Sequence, residues 1–392
     1  MGNKRYLVLV ILAVAVSGCW RGAIPVQPLE APAPGPAPTE VLPTATPVPD
    51  ILPNPVYFLS AASGSSQVWR LARDGVTLDR LTDEPAPVDR FAVSPVDGSV
   101  AYLTANQLYL VQPDVSGRAL LVDGGPADDA APNETRILSL AWSPDGRTLA
   151  YGHNGINLYS FEDGVSQVVL PNIIRDADGN LTMGFKIFQV VGWSPDSSKL
   201  LLTLSAWETF TYTIWDVATQ ALIPLVSESL VCCNLSWSPD GGTLWAASSI
   251  SGMVTTGLWR YDATTGVETV LMARPVIDGL RLAADYAAYP MQMGDALYYL
   301  WAPMGDTLSY PVPYLLVRAP VSNVNERTTL HSDAWPVSEL LWAADGSLGL
   351  GILPEGPRPE EGYAFGALVL IPTDGSPGIT LVESAAALAW GP

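Results

Sequence analysis

The pentapeptide Trp142-Ser143-Pro144-Asp145-Gly146 constrains this chain more than any other stretch, because it recurs. It returns as Trp193-Ser194-Pro195-Asp196-Ser197 and as Trp237-Ser238-Pro239-Asp240-Gly241. Weaker copies are Trp342-Ala343-Ala344-Asp345-Gly346 and Val93-Ser94-Pro95-Val96-Asp97-Gly98, and Trp390-Gly391-Pro392 is a truncated one. Each copy follows an apolar run, and the complete ones precede another. Proline cannot donate to a strand ladder, and Asp-Gly supplies the positive φ that a hairpin needs, so the motif reads as strand, tight turn, strand. Successive motif serines at 94, 143, 194 and 238 are 44 to 51 residues apart. Self-similarity at such a period is the signature of a repeat architecture.

Two further short strands fill each interval. In the clearest unit, apolar runs at 137–142, 148–152, 156–161 and 167–170 are separated by Ser-Pro-Asp-Gly, Asn154-Gly155 and Glu162-Asp163-Gly164. Four antiparallel strands per repeat make a propeller blade. Residues 56–392 divide into seven such units, which predicts an all-β propeller of seven blades, with six or eight as the neighbouring counts. The unit near Pro290 carries no copy of the motif and is placed by its strands alone, at 286–289, 296–301 and 314–318. The first unit begins at a second strand, and 385–390 resembles the missing first one. The C-terminus is therefore expected to complete the N-terminal blade and leave no sheet edge open. Small residues before the Trp (Ala141, Gly192, Ser236 and Ala389) suit an innermost strand, where blades converge.

These turns resemble those of the TolB-type and related WD40-like propellers of bacteria. The resemblance covers the 56–392 region, and the motif is clean at three sites. It implies the fold and leaves function open, since propellers host binding, scaffolding and catalysis alike.

Residues 1–18 read as an export signal: basic Asn3-Lys4-Arg5, then an apolar run too short to span a bilayer. Val16-Ser17-Gly18-Cys19 resembles a bacterial lipobox, in which Cys19 would receive a lipid and anchor the protein outside the cytoplasm, in the periplasm or at the cell surface. Residues 19–55 form a tether. Its eleven prolines between 25 and 55 favour extended polyproline II, and at ~3.1 Å per residue it could span up to about 100 Å.

The formal charge is −20, with only Lys4, Lys186 and Lys199 as lysines and no basic stripe. Nucleic acid and anionic membrane surfaces are therefore poor partners for the folded part. Loop length collects in the connections between strands two and three of a blade and between one blade and the next, as at 123–136, 171–186, 206–210, 302–313 and 354–365. In an up-and-down blade both classes emerge on one face, and long loops gathered there suit binding. Trp207, Phe210, Trp301, Tyr310, Tyr314, Trp335 and Tyr363 are the candidate aromatic rim, with Tyr212 and Phe365 beside them.

Catalytic chemistry has little to build on. His153 and His331 are the only histidines, no Gly-x-Ser-x-Gly elbow occurs, and no metal or cofactor set is recognisable. Asp176-Ala177-Asp178-Gly179-Asn180 resembles the opening of a calcium loop, but Phe185 stands where the closing Glu belongs, and a hairpin turn is the favoured reading. Cys232-Cys233 is either a vicinal disulfide or two small side chains on opposite faces of a strand. The alternation of a strand favours the second. The expected role is a lipid-anchored, monomeric binding or scaffold propeller that engages a protein or cell-envelope polymer. The alternative is a glycan- or peptide-processing enzyme using carboxylates such as Asp128, Asp129, Glu360 or Glu361.

Overall fold

The structure is a computed structural model that describes residues 49–392 apart from 177, 207–208, 227–233, 249–254, 273–275, 278–279, 282–284, 305–310 and 357–361. Cys19, the signal, most of the tether, Trp207, Tyr310, Cys232, Cys233, Glu360 and Glu361 lie outside the described residues.

The described strands form seven antiparallel blades. Blade three shows the pattern: Ile137–Trp142, Thr148–His153, Gly155–Ser160 and Val165–Pro171 pair in chain order. Ile379–Trp390 serves two blades. Its first half pairs with Gly366–Pro372 as strand four of blade seven, and its second half pairs with Val56–Ser60 as strand one of blade one. The partner changes between Ala385 and Ala386, and just beyond it Ala387, at φ 55°, lies in a bulge of the blade-one pairing. The ring is thus closed by the C-terminal strand, as the pattern predicts.

Among the described residues, seven apolar clusters lie one at each seam between neighbouring blades, and they go all the way round. Leu59, Val68, Val100 and Tyr102 join blades one and two, and Leu201, Ile214, Leu244 and Trp259 join four and five. Val56, Phe58 and Leu71 meet Leu350, Leu368 and Leu370 across the closing seam. Among the described residues each cluster draws on two neighbouring blades, so each sheet buries its faces against its neighbours.

The repeated motif does two jobs. In the turn, the buried Ser143 hydroxyl accepts from Thr148 N–H (2.9 Å) and donates to Asp145 (2.6 Å), whose carboxylate also accepts Arg147 N–H. The serine hydrogen bond holds Asp145 below the usual carboxylate range. The same contacts recur at Ser194/Asp196 and Ser238/Asp240. The second job is carried by the tryptophan. Trp142 Nε1–H donates to Ala92 O, Trp193 to Ala141 O and Trp342 to Tyr289 O, each on the innermost strand of the preceding blade, at 2.7–3.1 Å. Trp390 does the same to Trp342 O at the closing seam (2.8 Å). The indole is an inter-blade tie, a role that the linear spacing does not reveal.

Two expectations need correction. Residues 51–55, read as tether, belong to the body: Leu52 is buried in the closing-seam cluster, and Asn54 Nδ2 donates to Gly391 O. Proline content masked one apolar anchor residue. Second, 206–210 is no long loop. Lys199–Ala206 and Thr209–Asp216 pair to their ends, leaving Ala206 opposite Thr209.

Candidate functional site

Strand one of each blade runs toward its motif turn, so every one-to-two and three-to-four turn lies at one end of the ring. The blade-to-blade and two-to-three connections lie at the other. The chain joins the body at the short-turn end, where Ile51 and Leu52 N–H donate to Arg73 O in a three-to-four turn of blade one (2.8 and 3.0 Å).

The long-connection end holds a built feature. The 171–186 connection is a β-hairpin: Ile173–Arg175 pairs with the first half of Leu181–Trp193, which runs on to become strand one of blade four. Asp176 closes the turn, its carboxylate accepting Asp178 and Asn180 N–H. The 123–136 connection carries a one-turn helix, Pro132–Thr135. Arg175 reaches from hairpin to helix and grips Glu134 with two hydrogen bonds of 2.8 Å, which lowers the Glu134 pKa. A cleft of about 380 Å³ lies between the two, lined by Pro132, Ile174, Leu181, Met183, Phe185 and Ile187 among others. Leu181 and Met183 are 71% and 74% exposed. Both connections are legible as long in the sequence, whereas the cleft between them is not. Alternating Leu181, Met183, Phe185 and Ile187 was the available signal, since residues two apart share a strand face.

The aromatic rim is only partly assembled. Phe210 is exposed and packs edge-on to Tyr212. Trp301 is half-buried, its indole donating to Asp285 (3.0 Å) under the Arg327 guanidinium. Tyr314 is buried and bridges backbone-to-backbone with Trp335, which packs against the inner His331. Tyr363 and Phe365 fold back onto the seam of blades one and two. These four are seam material: Tyr314 and Trp335 pack at the seam of blades six and seven, and Tyr363 and Phe365 reach from blade seven to the seam of blades one and two.

A second polar group sits where inner strands meet. The inner strands of blades one, two, three, four and six carry a bulge, and backbone N–H groups at such a bulge can turn to the neighbouring blade. Ser139 accepts Val190 N–H and Asn234 accepts Tyr289 N–H from the next blade. At the closing seam this role falls to Glu339, which accepts Ala387 N–H (2.9 Å) and Leu388 N–H (2.5 Å). Burial pushes its carboxyl up to about 7 against the pull of those two donors. Glu339, Arg90 and Asp89 all act on Tyr363, whose phenol burial raises.

The histidines sit apart from these groups. His331 is buried, with Nε2 on Ser376 O (3.0 Å) and Nδ1 accepting Asp333 N–H. His153 ends strand two of blade three beside the Asn154-Gly155 turn, and burial lowers its pKa. Asp129 pairs with Arg136, while Asp128 is exposed and caps Ala130 N–H. Among the described residues, no group of three or more His, Cys, Asp or Glu is placed to hold a metal ion.

No protein-family model matches the chain. Over 103 residues it is 32% identical to an uncharacterized protein of Agrobacterium fabrum, covering 24% of this chain and 35% of that protein, so the match spans about a third of the relative's length. Oligogalacturonate lyase from Vibrio parahaemolyticus superposes with a TM-score of 0.54 at 16% identity, over 86% of this chain and 87% of that one. A manganese complex of oligogalacturonate lyase gives 0.56 at 14% identity, over 83% of each chain. TolB from Acinetobacter baumannii gives 0.44 at 16% identity, over 88% of this chain and 68% of that one. At such identities the likeness to the lyases is one of fold, and the chain is a β-propeller with neighbours that include enzymes.

Proposed function

We propose that this protein is a lipid-anchored, extracytoplasmic binding propeller that engages a partner protein or envelope polymer through its long-connection end. The observation that carries this reading is the separation of the two ends. The chain enters the body among the short turns, which leaves the cleft and the long connections at the end opposite the point of entry. The Val16-Ser17-Gly18-Cys19 stretch supports the anchor, and the acidic body supports a partner other than nucleic acid. A photo-crosslinking residue in place of Leu181 should capture a specific envelope component in living cells, and one in place of Val96, on the short-turn end, should not. Equal capture from both positions, or from neither, would sink the proposal. Cys19→Ser should move the protein from the membrane to the soluble fraction.

A glycan-processing reading draws on the fold likeness to two oligogalacturonate lyases. Turnover of oligogalacturonate by the purified chain with added manganese would favour it over binding alone.

A further inference from the structure

We propose that the cleft between the Pro132–Thr135 helix and the 173–187 hairpin docks an extended peptide whose apolar side chains alternate and whose flanks carry Lys or Arg. This deepens the binding reading above and rests on it. Three observations converge. The floor is a strand face, Leu181-Met183-Phe185-Ile187, with Ile174 beside it and Pro132 opposite. Its side chains repeat every second residue, the spacing at which an extended peptide presents its own. At about 380 Å³ the cleft is near the lower end of ligand pockets, which run roughly 300–1,000 Å³, so it takes a few side chains rather than a folded surface.

Charge selects the flanks. The acid and base within the cleft, Glu134 and Arg175, are spent on each other. On the same two connections Asp123, Asp128, Asp176 and Asp178 are exposed, and of the other exposed bases there Arg136 pairs with Asp129, which leaves Lys186 against them. Cationic flanks are attracted to such a rim and acidic ones repelled. The same argument weighs against a second copy of this chain, since each carries a formal charge of −20. Phe185 is the one aromatic residue on the cleft lining, which is little for stacking sugar rings.

The test pans a phage-displayed library of random peptides, about 12 residues long, on the full chain at about 150 mM salt. Enriched peptides are then titrated by fluorescence anisotropy. The expected hits alternate apolar residues between Lys or Arg. They lose affinity about tenfold or more on the double variant Leu181→Glu/Met183→Glu, whose exposed positions should leave the melting temperature in place. On Asp128→Asn/Asp178→Asn they should lose roughly threefold, and less at high salt. Acidic hits, hits indifferent to both variants, or no enrichment over an unrelated protein would overturn the proposal. So would concentration-dependent dimers abolished by Leu181→Glu/Met183→Glu, which would assign the cleft to a second copy. Hits that ignore the cleft variants but are lost on Phe210→Ala would end the cleft proposal while leaving a binding role for this end of the ring.

Discussion

At one end of the inner hairpins the same few residues close turn after turn; at the other, neighbouring connections share neither length nor sequence. Blades three, four and five spend a buried serine, an aspartate and a positive-φ residue on an identical network at the first end. At the second end blade four throws out a hairpin, the step from blade two to blade three makes a helical turn, and Glu339 replaces the Ser and Asn used elsewhere. A repeated network is what stability selects, because each copy meets the same neighbours. Variation at the other end, beside an exposed apolar strand face, is what a specific contact requires.

The largest effect should come from removing 385–392. That deletion takes strand one from blade one and half of the closing-seam tie, and should cost more than about 5 kcal/mol, enough to abolish cooperative unfolding by circular dichroism. An unchanged melting temperature would show that the ring does not depend on its closing strand.

Next is Gly346→Ala in a motif turn. The residue sits at φ 71°, and an added Cβ would lie 2.7 Å from Met293 Sδ and 2.9 Å from the Tyr298 ring. A loss of about 2 kcal/mol in denaturant titration is expected from strain and contact together. A loss below about 0.5 kcal/mol would mean that the turns tolerate side chains as freely as the far end should.

Smaller still is the inter-blade tie. Trp342→Phe removes a donor from Tyr289 O, whereas the buried Trp237 Nε1 has no partner to lose. The first substitution should destabilise by about 1 kcal/mol more than the second. Equal losses would leave the indoles as packing alone.

The gentlest probe is pH. Glu339 is raised to about 7 in the fold, above the value of an unfolded glutamate near 4.5. The folded state therefore holds this proton more tightly, and stability should fall as pH rises from about 4.5 through about 7. The turn aspartates act with the opposite sign: Asp196, held at about 2 first by Ser194, adds stability that is lost only as pH falls from about 4 toward 2. Glu339→Gln should flatten the upper window and leave the acid limb untouched. A midpoint that still drops between pH 4.5 and 7 in the variant would clear Glu339 of that role.

The repeat, the blade count, the strand order and the closing strand were all legible in the linear sequence. Each is encoded locally, in a turn motif with a mechanism and in apolar runs of strand length. The turn serine and aspartate could be read because they bond within five residues of each other. The tryptophan tie could not, because its acceptor lies about one blade earlier in the chain. Nor could the role of Glu339, whose partners at Ala387 and Leu388 are set by a bulge on a strand from the far end of the sequence. The cleft has the same origin. Alternating Leu181, Met183, Phe185 and Ile187 is visible as a strand face, but what that face looks onto is fixed by the packing of a helix some fifty residues upstream. Local chemistry dictated the blades, and only closure of the ring decided which side chains meet across them.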